Sequence, residues 1–161
     1  MIITKLDIDC LHCQEQLYPV FREYFLGLFE NDETEYNRIK DRVDEIFTNY
    51  LDDMRHQDSW IFVGRDNGQI VGFIFTQIDQ PHKSWSKRQG WGLIREAYIV
   101  PNQRKKGFAK ALVVHAEAIM KEEGATRLYL TTDEAFDFWQ SMGYTDSGEI
   151  EPNNNGKIYI K

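Results

Sequence analysis

One segment of the chain runs from a strand-like sequence through a short basic turn into a helix-like sequence. Leu93 to Val100 has the β-branched and apolar residues of a strand, and Pro101-Asn102 ends it. A helical period follows from about Arg104 to Glu123, where Gly124 is a natural stop. Its buried face would carry Phe108, Leu112, His115, Ala116 and Ile119. A strand that leads directly into a long helix predicts a crossover unit, so the fold must combine a sheet with helices.

Two further strands precede this unit and are predicted to form a hairpin. Trp60 to Val63 and Ile70 to Ile78 are both rich in β-branched and aromatic residues. Asp66-Asn67-Gly68 lies between them and supplies residues that accept a positive φ in a tight turn. The polar, basic stretch 79–91 that follows is predicted to be a loop.

The N-terminal third is predicted to contain one short strand and two helices. Residues 2–8 alternate as in a strand, and Asp9 can cap a first helix that Pro19 should kink or split. Asn31 or Asp32 can cap a long second helix. The stripe of that helix would be Tyr36, Ile39, Val43, Ile46, Phe47, Tyr50, Leu51 and Met54.

The C-terminal part completes the predicted fold. Arg127 to Leu130 resembles a strand, and a short helix is expected from Asp133, its N-cap, to Met142, with Gly143 closing it. Tyr144-Thr145 and Lys157 to Ile160 are predicted as the last strands. We therefore expect an α/β protein with a largely antiparallel sheet and one central crossover helix. No repeat or linker divides the sequence, so residues 1–161 are expected to form one domain.

Composition excludes several classes of protein. With 161 residues, of which 42% are hydrophobic, the chain can bury a core, and a net charge of −7 argues against a nucleic-acid binder. No apolar run is long enough to span a membrane, and the N-terminus lacks the pattern of a secretory signal. Two cysteines cannot form the disulfide framework that is typical of small secreted proteins, so a reducing, cytoplasmic location is expected.

The net charge hides a basic window between Lys83 and Lys110. The window contains a single acidic residue, Glu96, and eight basic ones: Lys83, Lys87, Arg88, Arg95, Arg104, Lys105, Lys106 and Lys110. Such a window is either a solvated charge run or a site for a localised anion.

The turn at Arg104 to Lys110 favours the anion site. The first N–H groups of a helix are unpaired and its N-terminus carries positive potential, so phosphate fits there. Gly107 lacks a Cβ and lets an anion approach the backbone. The chain has neither G-x-x-x-x-G-K-[ST] nor G-x-G-x-x-G after a strand, which argues against an NTPase or a dinucleotide oxidoreductase.

Three segments together resemble the GCN5-related N-acetyltransferases, the GNAT superfamily. Arg104-Lys105-Lys106-Gly107-Phe108-Ala109 matches the motif (Q/R)-x-x-G-x-(G/A). The hairpin that begins at Trp60 and the segment from Ala135 to Tyr144 resemble the family's preceding and following elements, in the same order. The resemblance implies a mixed, mostly antiparallel twisted sheet of about seven strands flanked by about four helices.

The resemblance also implies an acetyl-CoA site without a metal. The pyrophosphate would lie on the N–H groups of Arg104, Lys105, Lys106, Gly107, Phe108, Ala109 and Lys110. The pantetheine arm would pair with Ala97, Tyr98 and Ile99 of a strand that splays from its neighbour. A free N–H of Tyr98 or Ile99 would polarise the thioester carbonyl. The acetyl group would pass directly to a primary amine, of a small molecule or of a peptide or protein.

Two acidic residues are candidates for the base that removes the amine proton. Family members often carry an acid at the position of Glu96 and act through water, so Glu96 is preferred; its alternative is a structural carboxylate that pairs with Arg95 or with a nearby loop residue. Asp133 is the second candidate, although a helix cap is its simpler role.

The sequence departs from the family at Trp139, where many members have a tyrosine that protonates the departing thiolate. An indole N–H is no useful acid, so Trp139 is expected to shape the thiol site. Water, the substrate's proton, Tyr98 or Tyr144 would then finish the step. The same departure motivates an alternative function, a non-catalytic acyl-CoA-binding or regulatory module.

Several other residues have competing interpretations. Cys10 and Cys13 form a C-x-x-C that we interpret as ordinary helix residues, with a redox pair or half a zinc site, completed by His56 and His82, as alternatives. His115 is expected in the core, and Trp85 and Trp91 either contact substrate or pack over the sheet. The acceptor is open, and a homodimer is compatible with the sequence.

Overall fold

The chain folds into one open sheet with helices on both faces. The computed structural model describes residues 1–55, 58–81 and 88–161. The strands are β1 (Ile2–Lys5), β2 (Ser59–Asp66), β3 (Gln69–Ile78), β4 (Gly92–Ile99), β5 (Leu128–Thr132), β6 (Thr145–Ile150) and β7 (Lys157–Ile160). The helices are α1 (Leu11–Gly27), α2 (Glu33–Lys40), α3 (Val43–Met54), α4 (Phe108–Glu122) and α5 (Phe136–Ser141), and a 3₁₀ turn covers Pro101–Gln103.

The order of strands in the sheet is β1-β2-β3-β4-β5-β7-β6. All neighbours are antiparallel except β4 and β5, which are parallel and joined by the crossover through α4. The predicted fold class, a mostly antiparallel α/β sheet with one central crossover helix, is confirmed. The predicted hairpin is confirmed as well, because Asn67 and Gly68 both have positive φ, 49° and 81°.

Each face of the sheet has its own hydrophobic core. One face packs against α1, α2 and α3, whose buried side chains include Leu17, Phe21, Phe47 and Tyr50. The opposite face packs against α4 and α5, and Leu112, Ala116, Met120, Trp139 and Tyr144 lie in this second core. Side chains of a strand alternate between the faces, so β4 contributes to both cores and carries groups from one to the other.

The predicted long second helix is wrong, because it is two helices. Asp32 caps α2 by accepting a hydrogen bond from the N–H of Glu35 at 3.0 Å, as one of the two predicted caps. The chain then turns at Asp41 and Arg42, and α3 starts at Val43. The apolar stripe continues across this turn because Ile39 and Val43 are both buried in the same core. The described residues therefore form five α-helices, where about four are expected.

The first helix also differs from the prediction at its start. Cys10, and not Asp9, is the N-cap of α1, and its Sγ accepts from the N–H of Cys13 at 3.1 Å. The two cysteine sulfurs are bonded to each other, so their interpretation as ordinary helix residues is wrong. Pro19 lies inside α1 with its ring exposed, and the helix continues to Gly27.

The two C-terminal helices start later than expected. Gly107, in the left-handed conformation, is the N-cap of α4, whose first helical residue is Phe108. Gly124 ends it as predicted, since the N–H of Ala125 reaches the carbonyl of Met120 in a Schellman motif. The predicted cap at Asp133 is wrong, because left-handed Ala135 is the N-cap of α5.

Candidate active site

A cleft opens where the parallel strands β4 and β5 separate. They pair from Gly92–Leu128 to Ile94–Leu130 and then diverge, while β4 stays paired with β3 as far as Ile99. The cleft between them is bordered by α1, by the start of α4 and by the segment from Leu130 to Ala135. The crossover thus brings a helix N-terminus, a strand with one unpaired edge and the helices of the other face to one place.

The N-terminus of α4 faces this cleft without a cap from a side chain. Gly107 has φ of 82°, and the first helical bond runs from the N–H of Ala111 to the Gly107 carbonyl. The N–H groups of Phe108, Ala109 and Lys110 therefore have no partner within the helix. A Cβ built at Gly107 would meet nothing within 4 Å, so the space above these N–H groups is open. This arrangement suits an anion such as a phosphate group.

The basic side chains beside this turn have different surroundings. Arg104 donates through Nε to the Ile99 carbonyl at 3.0 Å and lies over the ring of Tyr98, while Lys106 donates to the side chain of Gln103. Lys105 lines the cleft, has φ of 63°, and is exposed, as is Lys110. Arg104 and Lys106 are thus held by hydrogen bonds within the turn, whereas Lys105 and Lys110 are exposed and can turn toward an anion at the helix start.

The unpaired edge of β4 presents backbone groups to the cleft. The N–H of Val100 donates to the Val71 carbonyl of β3 at 3.0 Å. Because successive N–H groups of a strand point in opposite directions, the N–H of Tyr98 also points toward β3, and those of Ala97 and Ile99 point away from it. Of the two residues that the sequence offers as the polarising donor, this geometry favours Ile99 over Tyr98.

Glu96 is held by two tyrosines on the face of the sheet that packs against α1 and α3. Tyr24 of α1 donates a hydrogen bond to its Oε2, and Tyr50 of α3 donates to Oε1 at 2.6 Å. Burial raises the pKa of Glu96 above its ordinary value, while the two hydrogen bonds and the charge of Arg95 act in the opposite direction. A carboxylate with a raised pKa is a better proton acceptor than a free glutamate.

Arg95 does not pair with Glu96. Its Nη1 donates to Asp53 at 2.8 Å and to Gln77 at 3.1 Å, and its guanidinium lies over the rings of Tyr50 and Phe75. The register between β3 and β4 shifts at this point, because Phe75 faces Glu96 and Thr76 faces Ile94. This bulge places Arg95 and Glu96 on the same face of the sheet, where Arg95 braces α3.

Tyr98 lies two residues beyond Glu96 on the same face. Its hydroxyl donates to Glu23 of α1 at 2.8 Å, and its ring lies against Tyr24. Burial and the negative charge of Glu23 raise the pKa of Tyr98 to about 12. A phenol with that pKa gives up its proton less readily than free tyrosine, which weakens Tyr98 as a candidate acid.

Acidic side chains line the cleft from both walls. Glu23 and Glu30 come from α1 and the loop after it, and Asp133 and Glu134 come from the loop before α5. Asp133 is exposed. Burial and the charge of Glu96 raise the pKa of the Tyr24 phenol, and the negative charge of Glu134 raises it further. Acidic groups from both walls thus lie around one cleft.

Trp139 lines the cleft from α5. It is 8% exposed and packs edge-on against Phe138 and Tyr144. Tyr144 is 1% exposed in the core behind it, where burial raises its pKa well above the ordinary value. Tyr144 is therefore badly placed to protonate a group in the cleft.

Other residues singled out in the sequence have structural roles. Trp91 packs edge-on against Tyr129 between Arg88 and Arg127, and Arg88 donates to Glu149 at 2.7 Å. His115 lies edge-on against Phe62 and is partly buried, close to the core position expected. The hypotheses that involve Lys83, Lys87, Trp85, His56 and His82 fall outside the described residues.

Sequence reasoning missed the role of both tyrosines that hold Glu96. Tyr50 was assigned to an apolar stripe, which is correct for its ring but ignores its hydroxyl, and Tyr24 was not singled out. Both are far from Glu96 in the chain, so only the packing of α1 and α3 on the sheet reveals the contact.

The described ranges contain neither a cluster of metal-binding side chains nor a membrane-spanning helix. Within residues 1–55, 58–81 and 88–161, no group of three or more His, Cys, Asp or Glu side chains is arranged to hold a metal ion. No helix in the same part of the chain has the length and apolar character needed to cross a membrane.

Several solved structures share this fold. The structure of PaiA N-acetyltransferase from Thermoplasma acidophilum in complex with coenzyme A aligns with a TM-score of 0.76 and 20% identity, covering 99% of this chain and 97% of that one. Aminoglycoside 6'-acetyltransferase type Ii aligns with a TM-score of 0.72 and 19% identity, covering 100% and 96%. An aminoglycoside 6'-N-acetyltransferase complexed with coenzyme A aligns at 0.67 and 16%, covering 99% and 94%. At these identities the likeness concerns the fold.

The sequence itself gives the family. Among curated protein sequences, none matches this chain significantly. The sequence profile of the acetyltransferase (GNAT) family, however, matches residues 15–144, which include most of α1, the β4–α4 turn and α5. A match over this share of the sequence shows that the chain belongs to the GNAT acetyltransferase family.

Proposed function

We propose that the protein transfers the acetyl group of acetyl-CoA directly to a primary amine in this cleft. The single observation that carries the proposal is the uncapped N-terminus of α4 beside the unpaired edge of β4. Two of the solved structures with this fold are complexes with coenzyme A, which supports the same ligand here.

The phosphates of the cofactor would bind at the start of α4. The N–H groups of Phe108, Ala109 and Lys110 supply donors, and Gly107 leaves room for close approach. Lys105 and Lys110 add positive charge. Arg104 contributes by holding the Ile99 carbonyl, and thereby fixes the turn between β4 and α4.

The pantetheine arm would extend back along the edge of β4. Starting at α4, it meets Ile99 first and Ala97 next, and the N–H groups of these two residues face the cleft. The thioester would then lie along this edge between Ile99 and Ala97, with its carbonyl oxygen directed at the Ile99 N–H that the geometry favours as donor. An N–H that points at the thioester oxygen stabilises the negative charge that develops there during attack.

Glu96 is the proposed base for the attacking amine. The pKa of Glu96 is raised above that of a free glutamate and so lies closer to neutral pH, which favours transfer of a proton from the amine. Asp133 is exposed and its carboxylate is not the helix cap that the sequence indicated, yet nothing in its surroundings raises it above Glu96 as a candidate.

The thiolate product needs no dedicated acid. A thiol has an ordinary pKa of about 8.5, so its thiolate is a tolerable leaving group near neutral pH. Trp139 would pack against the sulfur end of the cofactor, and water or the proton taken from the amine would complete the step.

The acceptor is proposed to be cationic before it reacts. Glu23, Glu30, Asp133 and Glu134 line the cleft and would attract a protonated amine. Two of the structures with this fold are aminoglycoside acetyltransferases, and aminoglycosides are polycationic amines, so they belong among the candidates.

Incubation with acetyl-CoA and an amine panel tests the proposal. The panel should contain an aminoglycoside, an aliphatic diamine, a lysine peptide and a peptide with a free N-terminus, with release of free thiol as the readout. We expect at least one amine to raise thiol release well above the rate with acetyl-CoA alone. Tight CoA binding without turnover on any amine would favour a non-catalytic acyl-CoA-binding module.

A further inference from the structure

Tyr24 stands between Glu96 and the cleft. Tyr24 lines the cleft, whereas the side chain of Glu96 does not reach its wall. The Tyr24 hydroxyl donates to Oε2 of Glu96, and the other carboxylate oxygen accepts from Tyr50 at 2.6 Å. A group that enters the cleft past its acidic side chains would therefore meet the Tyr24 oxygen before it meets the carboxylate of Glu96.

The chemistry of a phenol allows it to pass a proton along. A tyrosine hydroxyl can donate one hydrogen bond and accept another, so Tyr24 can accept from an amine while it donates to Glu96. Burial and the charge of Glu96 raise the pKa of Tyr24, so the phenol stays protonated and does not itself act as the base. A carboxylate behind it must be the final proton acceptor.

We propose, on the basis of the acetyl transfer proposed above, that Tyr24 is a catalytic residue that passes the proton of the acceptor amine to Glu96. An acceptor that arrives as an ammonium ion first loses one proton to water, because its nitrogen has no lone pair until then. As the resulting neutral amine nitrogen bonds to the thioester carbonyl carbon, one of its remaining N–H protons moves to the Tyr24 oxygen. At the same time the Tyr24 hydroxyl proton moves to Oε2 of Glu96. The C–S bond then breaks, the thiolate leaves, and the proton on Glu96 returns through Tyr24 to the thiolate or to water.

Tyr50 has a different task in this arrangement. Its ring is 8% exposed, it does not line the cleft, and Arg95 lies over it at 4.9 Å. It is a positioning residue, because it fixes Oε1 and thereby turns Oε2 toward Tyr24. Tyr24 and Tyr50 thus bind the same carboxylate, but only one of them can touch a substrate.

Matched hydroxyl deletions separate these two roles. With the best acceptor from the amine panel, Tyr24→Phe should lower the pH-independent kcat by about 100-fold, the range of acid–base catalysis. Tyr50→Phe should lower it much less. In both variants the acidic limb of the pH profile should shift to higher pH, because each substitution removes a hydrogen bond that lowers the pKa of Glu96.

Tyr18→Phe is the control for the loss of a hydroxyl on α1. Tyr18 also donates to a carboxylate of α3, that of Asp44, but it does not line the cleft. Its kcat and acidic limb should equal those of the wild type. Thermal melting and CoA affinity are measured for each variant to show that all of them fold.

A solvent isotope experiment on the wild type needs no variant. If two protons move together in the transition state, kcat should follow a curve when it is plotted against the deuterium fraction of the solvent. If only one proton moves, the plot should be a straight line. A straight line, or a Tyr24→Phe variant with the kcat of wild type, would overturn the relay and leave acetyl transfer intact. If the wild type acetylates no amine, acetyl transfer fails and the relay fails with it.

Discussion

At the scale of single residues, the proposed site rests on Glu96 and Gly107. Glu96 was identified from a family resemblance, because a lone acid in a basic window has no other distinguishing mark in the sequence. Its two phenol partners, Tyr24 and Tyr50, come from helices 72 and 46 residues away in the chain. No local pattern encodes contacts over such separations, so the residue could be predicted and its surroundings could not.

Replacement of Glu96 by glutamine is predicted to remove the acidic limb of the pH profile. The carboxylate must be ionised to accept a proton, and its pKa is raised, so wild-type kcat/KM should fall as the pH drops through that raised pKa. Glu96→Gln should be slower by at least about 100-fold at the plateau and show no such limb. A Glu96→Gln variant with the profile of wild type would rule out Glu96 as the base.

Gly107 is predicted to matter for the cofactor rather than for the fold. Gly107→Val should weaken acetyl-CoA binding by more than tenfold, about 1.4 kcal/mol, because a branched side chain would occupy the space that phosphate needs. Gly68→Val is a matched control, since Gly68 has nearly the same φ, 81° against 82°, and the same open space, but lies in the distant β2–β3 hairpin.

Calorimetric titration with CoA decides this comparison. Both valine variants should lose similar stability, because each forces a β-branched residue into the left-handed region. Only Gly107→Val should lose affinity. Equal CoA affinity of the two variants would refute the assignment of the phosphates to the start of α4.

At the scale of elements, the strands were predicted better than the helix ends. The hairpin and the strand–turn–helix unit carry local signals, such as Asn67-Gly68 and Gly124, and the structure has them as expected. The break between α2 and α3 was missed because the apolar stripe runs on through it, from Ile39 to Val43. Caps depend on local backbone geometry, which is why Cys10 replaced Asp9 and Ala135 replaced Asp133.

The close contact of β3 and β4 gives a prediction about the cleft edge. A Cβ at Gly72 would lie 2.3 Å from the Tyr98 carbonyl oxygen and 2.5 Å from the Ile99 side chain, so Gly72→Ala must push β4 aside. We expect a loss of roughly 1–3 kcal/mol in unfolding free energy, typical of overpacking, together with weaker CoA binding.

Gly64→Ala is the matched control, because Gly64 pairs with Gly72 across the β2–β3 ladder. A Cβ there would meet only the flexible side chain of Met1, at 2.7 Å. Denaturant unfolding and CoA titration should show a smaller loss of stability and unchanged affinity. If the two variants behave alike, the position of β4 does not control the cofactor site.

At the scale of the whole molecule, the charges are divided between two ends of one cleft. Acidic side chains such as Glu23 and Glu134 line one part of the cleft, and the basic turn lies at the start of α4, whereas the net charge of −7 counts all 26 acidic and 19 basic residues of the chain. The sequence predicted the basic part, because its residues are consecutive. The acidic part could not be predicted, since α1 and the β5–α5 loop meet only in the folded sheet.

This division predicts that salt weakens CoA binding through a few lysines. Raising the salt from about 0.1 M to about 1 M shortens the screening length from about 10 Å to about 3 Å, so attraction between Lys105, Lys110 and the phosphates should fade. The double variant Lys105→Gln/Lys110→Gln should show a smaller salt dependence. Lys5→Gln, on edge strand β1, should keep the salt dependence of the wild type. If CoA affinity falls equally with salt in the wild type, the double variant and the Lys5 variant, Lys105 and Lys110 do not bind the phosphates.

The central claim is that this cleft moves an acetyl group from CoA directly to an amine. The most direct measurement follows acetyl-CoA labelled with ¹³C at the carbonyl, by NMR of the reaction and mass spectrometry of the protein. We predict that the thioester signal is replaced by an amide signal on the acceptor, in equal amount to the thiol released, with no acetyl group on the protein. Thiol release without an amide, or an acetylated protein that forms and decays at the rate of turnover, would contradict the account.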